Sequence, residues 1–266
     1  MNIYHYTSLD ALTKILHKDH ICFWGTRYDS MNDPTDSIYI KDVVLPLIKD
    51  AVEDAGLDDY DKDESEAFPY IVSFSREEDD FHMWRMYKAD VALVFNREKI
   101  TEYVDADSGP SFIYFEDCEY PEDEDDLHRK FIEKLNTLNK GQGMMLAAHH
   151  TVAFIKRKEF KNENEVRLVT FDHDGAYSIG IKDGEPELIE GEIPVNVGVK
   201  AIRDKDLVLY KEFHLPKETL VGIIINSNND THYEKLRLHI RLWLLQQGYR
   251  HNVYITKTES GNFINL

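Results

Sequence analysis

The sequence predicts an α+β fold, a mixed β-sheet with flanking helices. Three observations carry this. Short apolar runs of strand length, such as Tyr70–Ser75 and Val221–Ile225, recur along the chain. Segments with helical spacing of apolar residues are interspersed among them. No repeat, low-complexity linker or clean domain boundary interrupts the order, so residues 1–266 read as a single domain with acidic surface insertions near 50–66 and 116–126.

Ile3, Tyr4, His5 and Tyr6 form a short strand, and Thr7 or Ser8 is a natural N-cap for a helix whose stripe is Leu9, Leu12, Ile15 and Leu16. Ile21–Trp24 is a second strand. The loop after it, Asp29 to Pro34, is rich in residues that bond their own backbone. A helix is predicted from about Ile38 to Ala55. Tyr70–Ser75 is the next strand, with Ser73 and Ser75 on one face. A short helix carries Phe81, Trp84, Arg85 and Tyr87. Val91–Phe95 and Phe112–Phe115 are apolar strands. Between Glu116 and Asp126 eight of eleven residues are acidic, which reads as a solvated loop. A helical region from about Leu127 to His150 is broken around Gly141–Gly143. Glu165–Phe171 alternates as a strand, short strands fill 177–212, and Val221–Ile225 reads as a central strand. Thr231 and Glu234 suggest a capping box for a helix with the stripe Leu236, Ile240, Trp243 and Leu244. Val253–Thr256 closes the series.

Composition narrows function. The formal charge is −19, from 31 basic and 50 acidic residues. That disfavours nucleic acid or anionic membrane as partners recognised by overall charge. No apolar run is long enough to span a bilayer, and the amino terminus has no secretory pattern. Cys22 and Cys118 are too few for a disulfide framework, so a cytoplasmic location is expected. Phosphate loops, dinucleotide fingerprints and nucleophile elbows are absent. No metal-ligand spacing stands out: His149 and His150 are adjacent, and His17 with His20 reads as surface decoration, so no metal is expected.

Three features could carry chemistry. His5 lies at a strand–helix junction between Tyr4 and Tyr6; alone, it reads first as a packed residue. Ser73 and Ser75 precede Trp84 and Tyr87, which also suit a core helix. Glu163, Glu165 and Arg167 share a face if their strand begins by Glu163, and two neighbouring carboxylates raise a pKa unless a donor compensates. The same charges would suit an exposed edge strand with a salt bridge.

In order, Tyr4-His5-Tyr6-Thr7-Ser8-Leu9, Met31-Asn32-Asp33-Pro34-Thr35-Asp36, Ser73-Phe74-Ser75, Met83-Trp84-Arg85-Met86-Tyr87 and Glu163-Asn164-Glu165-Val166-Arg167 resemble the bacterial DUF2971 family. That family is similar in turn to the ADP-ribosyltransferase fold, which implies a split mixed β-sheet core binding NAD between its halves. The resemblance implies Glu165 as the catalytic carboxylate, with Glu163 before it. His5, with Tyr6 and Thr7 beside it, would hold a ribose or the nicotinamide amide. Ser75 or Ser73 would brace the site, Tyr87 or Trp84 would cover the nicotinamide, and Arg167 would hold the carboxylates or meet a phosphate. Asn32 and Asp33 would line the cleft or simply form a turn. Lys88-Ala89-Asp90 stands where the family commonly has a Gly-containing turn.

The implied activity is cleavage of the nicotinamide–ribose bond of NAD with transfer of ADP-ribose, or NAD hydrolysis, as in a toxin or phage-defence effector. A fixed anion would stabilise positive charge developing on the sugar. The acceptor is open: protein, small molecule or water suits the −19 charge, while Lys156, Arg157, Lys158 and Lys161 form a basic strip that keeps nucleic acid in view. The alternative is a catalytically silent nucleotide-binding or protein-interaction module of the same fold, its acidic loops meeting a basic protein partner.

Overall fold

A computed structural model describes residues 1–28, 31, 38–54, 69–106, 113–137, 143–171, 178–182, 185–190, 197–202, 206–249 and 252–259. The chain begins with β1 (Asn2–Thr7), and Ser8 caps α1 (Leu9–Ile15) by accepting from the Ala11 N–H at 3.1 Å. β2 (Ile21–Arg27) follows. Helical residues start at 38, pass through a π-helical turn (Ile40–Val44) and continue as α2 (Leu45–Asp54). Then come β3 (Pro69–Ser75), α3 (Phe81–Tyr87), β4 (Val91–Asn96) and α4 (Arg97–Ala106). The sequence reading lacks α4, which packs Ile100, with Tyr103 and Val104 beside it, on the main core.

β5 (Ile113–Asp117) leads to α5 (Glu124–Thr137) and α6 (Gly143–Phe154), and a 3-10 turn (Lys158–Glu163) leads into β6 (Glu165–Phe171). Thus the acidic stretch 116–126 is not one loop. Glu116 and Asp117 end β5, where Arg97 grips Asp117 through two bonds of 3.0 and 2.9 Å. Glu124, Asp125 and Asp126 occupy the first turn of α5, where the helix dipole favours anions. The other expected acidic insertion, near 50–66, begins on α2 and otherwise lies outside the described residues.

Among the described residues β7 (Ser178–Lys182) and β8 (Glu185–Glu190) pair with each other as a separate ribbon, whereas β9 (Val197–Ile202) and β10 (Asp206–Leu215) join the main sheet. β11 (Leu220–Ile225), α7 (Asp230–Gln246) and β12 (Tyr254–Lys257) complete the described chain. The cap of α7 is Asn229, which accepts from the His232 N–H at 3.1 Å; the expected Thr231 cap lies one turn position inside the helix, and Glu234 binds Arg237 instead.

Among the described residues ten strands form one mixed sheet, ordered β12-β11-β4-β1-β3-β2-β10-β9, with β6 on β3 and β5 on β6; β11 and β12 run parallel. β3 therefore has three neighbours. β6 pairs along its whole length on one edge. The other edge is shared: β1 meets it at Ser75, and β2 meets it at Tyr70 and Ile71. The sheet divides there into two wings. Its main core, which includes Ile3, Phe23, Phe74, Phe95, Ile223 and Leu244, covers one face. The opposite face carries two smaller apolar groups, one around Tyr4, Tyr6 and Trp84, the other around Ile71, Phe154 and Val169.

β6 departs from the alternating pattern expected of it. All seven residues are buried, and it lies between β3 and β5, which overturns the reading of Glu165–Arg167 as an exposed edge.

Candidate functional site

Between those two smaller apolar groups sits a buried ionic cluster. The 3-10 turn ends at Asn164, whose left-handed backbone (φ 42°, ψ 50°) reverses the chain's direction before β6 starts. As a result the carboxylates of Glu163 and Glu165 converge although Glu163 is not on the strand. Both receive Lys156 Nζ, at 2.6 and 2.7 Å. Arg167 Nε donates to Glu165 Oε1 at 2.8 Å, and another of its nitrogens donates to the Ala153 carbonyl at 2.8 Å. Exposure is 3% for Glu163, 4% for Glu165, 5% for Lys156 and 1% for Arg167. Two acids and two bases cancel in formal charge, the condition under which such burial is tolerated.

Burial acts against the charge of Glu165, but Arg167 and then Lys156 outweigh it and lower its pKa to about 2. Glu165 is therefore an anion at neutral pH. Tyr87 is its neighbour in the same field: burial, then the Glu165 and Glu163 charges, push the phenol upward, so it stays protonated. Ser75 ties the turn to the sheet. Its hydroxyl donates to the Glu163 carbonyl at 2.7 Å and accepts from the Glu77 N–H at 3.0 Å. The Glu165 N–H donates to the Tyr120 hydroxyl at 2.9 Å.

The cluster borders a cleft of about 490 Å³ at Glu163, lined also by Glu77, Asp80, His82, Glu159 and Phe160. Tyr6 braces two of the lining residues from behind, donating its hydroxyl proton to the Glu77 carbonyl at 2.8 Å and accepting from the Asp80 N–H at 3.0 Å. Asp80 caps α3 through the Met83 N–H at 2.9 Å. The lining is rich in carboxylates, a field that attracts cations.

Of the residues singled out from sequence, Ser75, Tyr87, Glu163, Glu165 and Arg167 come together here. His5 does not join them. Paired residues share a face, so Tyr4, Ser75 and Glu165 point to one side, as do Ser73 and Arg167. His5 follows Tyr4 and points to the other side, where its ring packs edge-on against Phe23 at 4.9 Å and near Phe74 at 5.8 Å. The expected cleft between His5 and Glu165 is not formed. Instead His5 sits at the parting of β1 and β2: Nδ1 lies 2.9 Å from the Ser73 carbonyl, which can only accept, so Nδ1 carries the proton. Burial lowers the His5 pKa, keeping the ring neutral.

Trp84 is a core anchor rather than a stacking plate. It is fully buried, donates Nε1–H to Asp79 at 2.7 Å and meets Tyr6 edge-on at 4.8 Å. Thr7 pairs with Val91 and accepts the Asp90 N–H through its carbonyl. Ser73 offers the carbonyl that His5 takes. Asn32 and Asp33 lie outside the described residues. Lys88 adopts the left-handed conformation (φ 47°) that ends α3, filling with a lysine the place where a glycine was expected.

Sequence reasoning counted Lys156 in a basic strip; buried between two carboxylates, it is no part of a surface strip. It also missed Tyr120, and Glu77 and Asp80 as cleft residues. No periodicity links these positions, because a turn and a helix end bring them together.

A family model described as "Protein of unknown function (DUF2971)" matches residues 83–168, about a third of the chain, over which the chain is similar to that family. The matched segment runs from α3 into β6 and contains Trp84, Tyr87, Lys156, Glu163, Glu165 and Arg167; His5 and Ser75 precede it. No curated protein and no solved structure matches the chain.

Proposed function

We propose that the chain is an interaction module whose cleft beside Glu163 receives a Lys or Arg side chain of a basic protein partner. One observation carries this reading. The cleft is lined by the carboxylates of Glu77, Asp80 and Glu159 beside the buried, Lys156-bound Glu163, while Glu165, the carboxylate expected to do chemistry, has both oxygens engaged by Arg167 and Lys156. The net charge of −19 adds long-range attraction for such a partner. The test is calorimetric titration of the full chain with an Arg-rich peptide and with a Glu-rich peptide of equal length, at two salt concentrations. Binding of the first alone, weakened by salt and about tenfold or more by the exposed substitution Glu159→Lys, is expected. Equal heats from both peptides, or none, would retire the idea.

A second reading is NAD-dependent ADP-ribosyl transfer or NAD hydrolysis on an ADP-ribosyltransferase-like scaffold. What favours it is that Glu163 borders the cleft, its carboxylate buried against Lys156, and Glu165 behind it stays ionised, so fixed negative charge lies close to a space suited to a cationic nicotinamide. What it lacks is His5, on the far face. Nicotinamide release from NAD by the chain, abolished in both Glu163→Gln and Glu165→Gln, would establish this second reading over the first.

A further inference from the structure

We propose that His20, Cys22 and His214 form a metal site for a thiolate- and imidazole-seeking ion, Zn²⁺ in particular. Their ligand atoms all lie within 4.8 Å of one another. The ladder between β2 and β10 fixes this arrangement. Cys22 and His214 are direct cross-strand partners, and His20 stands two residues before Cys22. The turn that presents His20 is closed by the His17 N–H, which donates to the His20 carbonyl at 3.0 Å. The His20 and His214 rings meet at 4.5 Å, edge to face.

These side chains stand apart from the main apolar cluster. Ile21, Phe23, Phe213 and Leu215 point from the same two strands into the main apolar cluster. The other face of the ladder carries Cys22, Trp24, Glu212 and His214. It is open at its outer end, where the His214 and Glu212 side chains are each 48% exposed, while Cys22 lies beneath them at 4% exposure, its thiol pushed up to about 11 by burial in the absence of a metal. Glu212 Oε2 lies 3.5 Å from His214 Nε2, so a carboxylate is in place to orient the ring and leave Nδ1 for the ion, as outer partners of metal-bound histidines do. Tetrahedral Zn²⁺ holds sulfur at about 2.3 Å and nitrogen at about 2.0 Å, so binding needs the three side chains to draw together by roughly 1 Å. The thiol proton leaves to solvent as the thiolate takes the metal. One sulfur and two nitrogens leave a fourth position for water. Linear spacing could not reveal the site, because His214 is remote in sequence from the other two and only strand pairing joins them.

The experiment is Zn²⁺ loading of the full chain, removal of loose metal by dialysis, and elemental analysis. About one equivalent retained, together with a thiolate-to-metal absorption band after Co²⁺ substitution, is the expected result. Cys22→Ser should lose the band and the metal. His214→Ala, at an exposed position that keeps the fold intact by circular dichroism, should lose the metal as well. Glu212→Gln should weaken affinity about 10–100-fold. Retention unchanged in His214→Ala, or no retention by the unmodified chain, overturns the proposal.

Discussion

Two polar centres flank the same strand junction, one on each face of β3, the first fully buried and the second half-buried, and they handle charge in opposite ways. On one face Glu163, Glu165, Lys156 and Arg167 are kept charged by mutual pairing. On the other, His5 is kept neutral, with a proton shared to one carbonyl among phenyl rings. The difference teaches that a buried group is charged only where enough opposite charge is buried with it. Each centre should therefore fail in its own manner when disturbed.

The largest effect should come from Lys156→Met. It leaves two carboxylates buried together with only Arg167 to compensate, and about 3–5 kcal/mol should be lost in chemical denaturation at neutral pH. A loss near zero would mean that the two faces do not differ as described. Next comes acid. The folded pKa of Glu165 is about 2 against an ordinary value of 4.5, so its contribution is fully present above about pH 4.5 and is lost as pH falls towards 2. That contribution is on the order of 3 kcal/mol. Stability measured across this window should fall more steeply in the unmodified chain than in Glu165→Gln. The smallest effect belongs to His5. Its folded pKa lies below 6.5, so the unfolded chain takes up the proton first and stability drops as pH falls below about 6.5. His5→Gln can still donate to the Ser73 carbonyl; it should cost about 1 kcal/mol at pH 8 and remove this drop, as read from melting curves at pH 8 and pH 5.5.

Much of the fold was legible because β1, β3, β4, β6 and β11 announce themselves by apolar residues at strand length, and α1 by its cap and stripe. The strand neighbours were not legible. Whether Glu165 faces His5 depends on the single pairing of Tyr4 with Ser75, and nothing local to either segment encodes that pairing. The sequence brought Glu163, Glu165 and Arg167 together for an approximate reason, a shared strand face. The actual reason is the left-handed turn at Asn164 and a lysine from the end of α6. Likewise α4 and the two-part nature of residues 116–126 are set by long-range contacts, Arg97 with Asp117 among them.

The pairing of β6 with β3 has one more consequence. Were β6 to shift along β3 by a single residue, Glu165 and Arg167 would be turned into the layer of Phe74 and Phe115, while Val166 and Leu168 would confront the Lys156 ammonium. A misaligned chain would thus strand charge in oil at two positions at once. The ion cluster acts as a key cut for one alignment of the sheet.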